Sequence, residues 1–230
     1  MSFAGFSKDF FAFFRQLERN NEREWFEANK ARYRSEVLGP LSDFIVELAP
    51  RLAKISPHFK CDPRPIGGSI FRIHRDLRFA KDKTPYKTHA GAHFRHTGGE
   101  DVHAPGYYLH LEPGEVLFGG GLYLPPPPAL AKVRDRIASD PKGWKKVLEA
   151  KSITGTFGGL SDGDSLSRPP KGYPADHPFI EDLKRKSFYV MRTSDEKAAA
   201  SSRFLDQVAK TFAAAAPVMR YLCEAVGAEY

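Results

Sequence analysis

Residues 107–124, YYLHLEPGEVLFGGGLYL, decide how this chain reads. Side chains alternate along an extended chain, so Tyr107, Leu109 and Leu111 point one way and Tyr108 and His110 the other. Glu112-Pro113-Gly114-Glu115 follows. Proline presets the backbone of the second position of a turn and glycine supplies the positive φ of the third, which is the type II pattern. Residues 116–124 then return, so the stretch predicts a β-hairpin. Gly119, Gly120 and Gly121 in the returning arm mark a bulge, or a place where a ligand or another backbone comes close.

Upstream of the hairpin, residues 69–74 read as a strand after Gly67-Gly68, and residues 91–96 as another. Downstream, prolines 125 to 128 end the sheet segment. Leu130, Val133 and Ile137 then share a helical face, and Trp144, Val147 and Leu148 suggest a short second helix. Residues 155–173 are rich in Gly, Ser, Asp and Pro and read as a long loop. Residues 187–192 alternate as a strand. A helix follows from Asp195, with Phe204, Leu205, Val208 and Phe212 in register, and Pro217 breaks it before residues 219–226.

The first third reads as helical. Phe3, Phe6, Phe10, Phe13, Phe14 and Leu17 recur at spacings of three and four, with Ser7 as the N-cap. Asn21 and Glu24 have capping-box spacing for a second helix through Trp25, Phe26, Tyr33 and Val37. Gly39-Pro40 is expected to stop that helix and start a third, carrying Leu41, Phe44, Ile45, Leu48, Leu52 and Ile55. These aromatic and aliphatic stripes read as core. Helices, then strands, then a mixture predict an α+β fold, not alternating βαβ units. The expected architecture is N-terminal helices packed on a mostly antiparallel sheet, with a C-terminal helix, as a single domain over residues 1–230.

Composition bounds the function. The 230 residues are 41% hydrophobic and 13% aromatic, enough for a real core. A net charge of +7 attracts phosphates, nucleic acid or acidic small molecules. Cys61 and Cys223 lack a CxxC partner, which argues against a disulfide scaffold or a thiolate zinc site. Lys8 and Asp9 interrupt the apolar N-terminus, so no secretory signal is expected. No stretch nears the roughly 20 apolar residues that span a bilayer. No membrane association is expected, and the protein is placed in the cytoplasm.

The densest chemistry lies in residues 72–88, RIHRDLRFAKDKTPYKT, which carry a net +4 of the chain's +7. Arginine offers a planar fork to carboxylate or phosphate, and lysine a point charge on a long stem. Arg72, Arg75, Arg78, Lys81, Lys83 and Lys87 are therefore the candidate contacts to a small phosphorylated or carboxylated ligand. Tyr86 and Tyr108 are expected to line the pocket, with Gly120 allowing close approach. His74 and His110 are the acid–base candidates of an alternative reading, an enzyme acting on a phosphoester. The same residue types serve a structural alternative, in which Asp76 and Asp82 pair with neighbouring Arg and Lys to order the loop.

The run RDLRFAKDKTPYKT resembles the signature of the uncharacterised bacterial and fungal proteins grouped as domain of unknown function 2461. NNEREWF from residue 20, GYYLHL from residue 106 and FGGGLYLP from residue 118 agree with it, so the resemblance covers nearly the whole chain. The family pattern commonly has Thr and Ser where this chain has Leu77 and Ala80, which leaves the charged positions intact. The resemblance implies one domain over the chain and transfers no catalytic residue or cofactor.

Other constellations are weaker. His89, His93 and His96 lie close in sequence, followed by His103 and His110, but there is no HxH or HExxH. His93 and His96 would fall on opposite faces of a continuous strand. A metal site built from His74, His110 and Asp76 stays open, and no metal ligand set or cofactor is assigned. Neither Ser161 nor Ser165 sits in GxSxG. A third reading, a nucleic-acid or protein-interaction module, requires a basic stripe joining Lys142, Lys145, Lys146 and Lys151 to the signature.

Overall fold

The computed structural model describes residues 3–78, 80–98 and 105–230; Phe79 of the signature and His103 lie outside the described residues. Helix α1 (Lys8–Arg19) opens where expected, with the Ser7 hydroxyl accepting from the Phe10 N–H at 3.3 Å. Phe10, Phe11, Phe13, Phe14 and Leu17 are buried along it. Helices α2 (Arg23–Ala28) and α3 (Lys30–Arg32) lead into a π-helical turn, Tyr33–Leu38, and then into α4 (Gly39–Ile55). Gly39-Pro40 therefore does not stop a helix. Gly39 keeps helical dihedrals (φ −56°, ψ −61°), and Pro40 sits in the first turn of α4, where its missing N–H costs least.

The sheet has the order β1-β2-β3-β4 and is antiparallel throughout. Its strands are β1 (Ala90–Arg95), β2 (Gly106–Glu112), β3 (Glu115–Leu122) and β4 (Phe188–Ser194). The hairpin forms as read, with Glu112 opposite Glu115 and Gly114 at φ 85°. Between β3 and β4 run α5 (Pro127–Ser139), α6 (Pro141–Leu148), α7 (Lys151–Phe157) and α8 (Ile180–Lys184). The expected loop from residue 155 thus begins only after α7 ends at Gly158, which takes the left-handed conformation (φ 76°). After β4 come α9 (Glu196–Ala199), capped by Asp195, then α10 (Phe204–Ala214) and α11 (Ala216–Val226). The chain is α+β.

One sheet face carries Phe94, Tyr107, Leu109, Leu111, Val116, Phe118 and Val190, all buried. Helices α10 and α11 lie on it. The Tyr107 and Phe212 rings stack at 4.6 Å, and Phe204 meets Phe118 at 5.5 Å and Phe44 of α4 at 5.9 Å. Each such side chain contributes about 1.5–3 kcal/mol on leaving water.

The three glycines of β3 keep an unbroken register with β2, so there is no bulge. They permit close packing instead. A Cβ at Gly119 would fall 1.9 Å from the Val190 carbonyl oxygen, and one at Gly120 2.8 Å from Met219 and the Tyr107 ring. Gly120 faces core atoms, not a ligand, which corrects its expected part in binding. Among the described residues no helix is long and apolar enough to cross a membrane.

Residues 69–74 do not form a full strand. Ile70 makes a single bridge to Ala92 at the β1 edge, through Phe71 N–H to the Gly91 carbonyl (2.9 Å) and His93 N–H to the Ser69 carbonyl (2.8 Å). The chain then leaves the sheet and folds on itself. His74 bridges to Tyr86, held by Arg75 N–H to Pro85 O (2.9 Å) and Lys87 N–H to Ile73 O (2.8 Å). The signature is therefore a closed excursion from the β1 edge.

Candidate functional site

Inside that excursion most of the charge is used locally. Arg75 donates to Asp82 and to the Thr84 hydroxyl. Arg78 grips Asp76 through Nη2 at 2.6 Å and Nε at 3.0 Å. Both carboxyls are drawn down to about 2: Asp76 by the Arg78 hydrogen bond, Asp82 first by the Thr84 N–H and then by Arg75. Lys83 donates to the Leu77 carbonyl at 3.0 Å. The Arg75–Asp82 and Arg78–Asp76 pairs are those the structural alternative anticipated, whereas Lys83 bonds a backbone carbonyl and no aspartate. The remaining cations are Arg72 and Lys81, both exposed, and Lys87.

Lys87 is half-buried. Its ammonium donates to the Arg72 carbonyl at 3.0 Å and lies 5.2 Å from the centroid of the Phe71 ring. Burial lowers its pKa, and the nearby Arg72 charge lowers it further. Phe71 in turn packs 6.1 Å from Tyr108. Lys87 and Tyr108 thus flank one aromatic ring, and the Arg72 charge is close enough to be felt at Lys87.

Tyr86 is buried and stacked on Phe26 at 4.2 Å, so its ring packs in the core, which corrects its expected part in lining a pocket. Its backbone is held by Asn21: the Tyr86 N–H donates to Asn21 Oδ1 and Asn21 Nδ2 donates to the Tyr86 carbonyl, each at 3.0 Å. That use displaces the expected capping box, and Glu22 is the N-cap residue of α2, with no side-chain cap bond.

The acid–base candidates separate. His74 is exposed, beside Tyr86 and Phe26. His110 is buried on the non-core face of β2, and its neighbour is His89, not His74; their ring centroids are 4.3 Å apart. The excursion carries His74 away from β2, so the set His74, His110 and Asp76 is not assembled. Instead His89, His110 and Glu112 converge, one ligand atom from each lying within 4.8 Å of the others.

His110 is engaged at both nitrogens. Nδ1 meets the Tyr108 hydroxyl at 3.1 Å, and Nε2 meets Glu112 at 3.0 Å. Thr88 donates to the other Glu112 oxygen at 2.8 Å. Burial pushes the Glu112 carboxyl up, but the Thr88 and His110 hydrogen bonds outweigh it and the net shift is downward. Burial, then the adjacent His110, bring His89 down to about 4, and burial lifts Tyr108 to about 12.

Sequence reasoning grouped His89 with His93 and His96 instead of with His110, and read Glu112 only as a turn residue. The strand runs one residue further than expected, through Glu112, so His110 and Glu112 are two apart on β2 and share a face. His89 joins them only through the β1–β2 pairing. His96 is occupied elsewhere, at 2.6 Å from the Glu229 carbonyl. Two shallow surface depressions lie apart from this cluster, one beside Arg192, Arg203 and Lys210 and one beside His58, His96 and Glu229.

A family model described as "Conserved hypothetical protein (DUF2461)" matches residues 9–221. The chain belongs to this family. The match takes in the signature, the hairpin and the His89–His110–Glu112 cluster of the DUF2461 chain alike. No curated protein and no solved structure gives a significant match.

Proposed function

We propose that this DUF2461 protein binds a small phosphorylated or carboxylated ligand where the signature meets the sheet, at Arg72 and Lys87 beside Tyr108. The observation that carries this reading is the juxtaposition of two like charges. Among the described residues, neither Arg72 nor Lys87 has a carboxylate within ion-pair distance, and the Arg72 charge disfavours the charged form of Lys87. An anion between them reverses that repulsion and takes up N–H groups that donate to no acceptor among the described residues. Of the six cations considered from sequence, Lys81 remains an exposed outer contact. Arg75, Arg78 and Lys83 shape the loop that presents the others.

Two other readings draw less support. His110 has both ring nitrogens engaged and His74 is exposed, so neither is a poised base for phosphoester chemistry. A nucleic-acid stripe would need the lysines of α6 and α7 to adjoin the signature. Yet α7 packs on β4, and the signature leaves from β1, the opposite sheet edge. We also place the protein in the cytoplasm, in keeping with its two free cysteines.

Thermal shift against phosphate, sulfate, sugar phosphates and small carboxylates tests the reading. A ligand at 100 times its dissociation constant adds about 2.7 kcal/mol of stability. The shift should vanish in Lys87→Met and Arg72→Gln and persist in Lys83→Met. No midpoint change in the wild type with any of these anions at millimolar concentration would remove the reading.

A further inference from the structure

We infer that His89, His110 and Glu112 form a binding site for one divalent first-row transition-metal ion. The inference stands apart from the anion reading, since Arg72 and Lys87 need no metal to attract an anion. It follows from strand geometry. His110 and Glu112 lie two apart on β2 and project from the same face. Ala90 pairs with Leu111, so His89, one residue before Ala90, comes opposite Glu112 and on that same face. Three donors on one sheet face, two from one strand and one from its neighbour, leave the opposite side of an ion open.

The packing keeps them there. Gly91 pairs with His110, and a Cβ at Gly91 would fall 3.2 Å from the Tyr108 hydroxyl and 3.1 Å from the Phe71 ring. The glycine thus lets Tyr108 reach His110 Nδ1, fixing the ring so that Nε2 points at Glu112. Thr88 orients the carboxylate from behind. Protein metal sites hold their ligands in this way: the second imidazole nitrogen and the spare carboxylate oxygen are each tied to a neighbour.

Donors about 2.1 Å from a shared ion are at most about 4.2 Å apart. Their present spread, within 4.8 Å, closes by small side-chain rotations. Glu115, at the facing end of β3, has an oxygen 3.9 Å from His110 Nε2 and is a further carboxylate within reach. Two imidazoles and a carboxylate suit Zn²⁺, Fe²⁺ or Co²⁺ over Mg²⁺ or Ca²⁺, which prefer all-oxygen sets. Remaining positions would be held by water or by an oxygen of a ligand.

The test uses the metal-stripped full-length chain, loaded with Co²⁺ and followed by its visible absorption, then with Zn²⁺ by calorimetry. The expected result is one equivalent per chain, with Zn²⁺ abolishing the Co²⁺ bands. His89→Ala and Glu112→Gln should each weaken Zn²⁺ at least ~10-fold, and Thr88→Ala, which removes only an outer hydrogen bond, about 10-fold. His74→Ala should leave binding unchanged. Should a variant not fold, histidine ¹⁵N resonances of the wild type decide: Zn²⁺ should move those of His89 and His110 and not those of the other six histidines. Binding below one equivalent, unaltered affinity in folded His89→Ala and Glu112→Gln, or shifts centred on other histidines would each overturn the site.

Discussion

Asn21 shows how one side chain can do more than its local pattern suggests. Its spacing to Glu24 reads as a helix cap, yet both ends of its amide bond the Tyr86 backbone, tying the junction of α1 and α2 to the end of the signature. A backbone N–H and carbonyl near a buried ring have few alternative partners, so the tertiary bond wins over the cap. Asn21→Ala should cost about 2–3 kcal/mol in urea unfolding, from two lost hydrogen bonds and two groups left unsatisfied. Asn21→Asp keeps the acceptor and should cost less. A loss below about 0.5 kcal/mol for the alanine variant would mean that water replaces the amide without penalty.

At the scale of the element, the hairpin and the signature excursion behave differently. Pro113-Gly114 sets the hairpin turn locally, so its register is legible from the chain itself. The excursion is closed by the His74–Tyr86 backbone bridge and braced within by ion pairs, and these respond to pH. Asp76 and Asp82, held at about 2 against an ordinary 3.8, favour the closed loop in their charged form. That contribution is therefore complete above about pH 4 and is lost as pH falls towards 2. The Thr84 amide, which donates to Asp82 at 2.9 Å, should report a midpoint near pH 2 by NMR and lose that transition in Asp82→Asn. A midpoint near 4 would show that the carboxylate is unpaired in solution. Both aspartates are solvent-exposed, so added salt should weaken the effect.

Across the whole molecule, one hydrophobic cluster runs from Phe6 and Phe10 through the sheet to Val218 and Leu222. Trp25 in α2 packs on Phe13 at 5.7 Å, while Trp144 in α6 is buried against Tyr221 at 4.9 Å. If this continuous core unfolds as a single domain, the Trp25→Phe and Trp144→Phe variants will each show one urea transition. Each transition will coincide with that variant's own far-UV circular dichroism. A fluorescence transition displaced from the backbone signal would divide the chain into independently folding parts.

The sequence by itself determined the elements whose signals are local. Phenylalanines at spacings of three and four specified α1, alternation and a Pro-Gly turn specified β2 and β3, and the apolar stripe specified α10. It also located the cationic signature. Only the tertiary structure decided what that signature and its neighbours do. The pairing of β1 with β2, which no tight turn sets, brings His89 to His110 and Glu112. The bridge between His74 and Tyr86 takes His74 out of their reach. Ion pairs within the loop separate the cations that build it from Arg72 and Lys87. Periodicity reports which face a residue occupies along its own strand, whereas a site depends on which strand lies beside it. That second fact belongs to the packing of distant segments and is written in no local pattern.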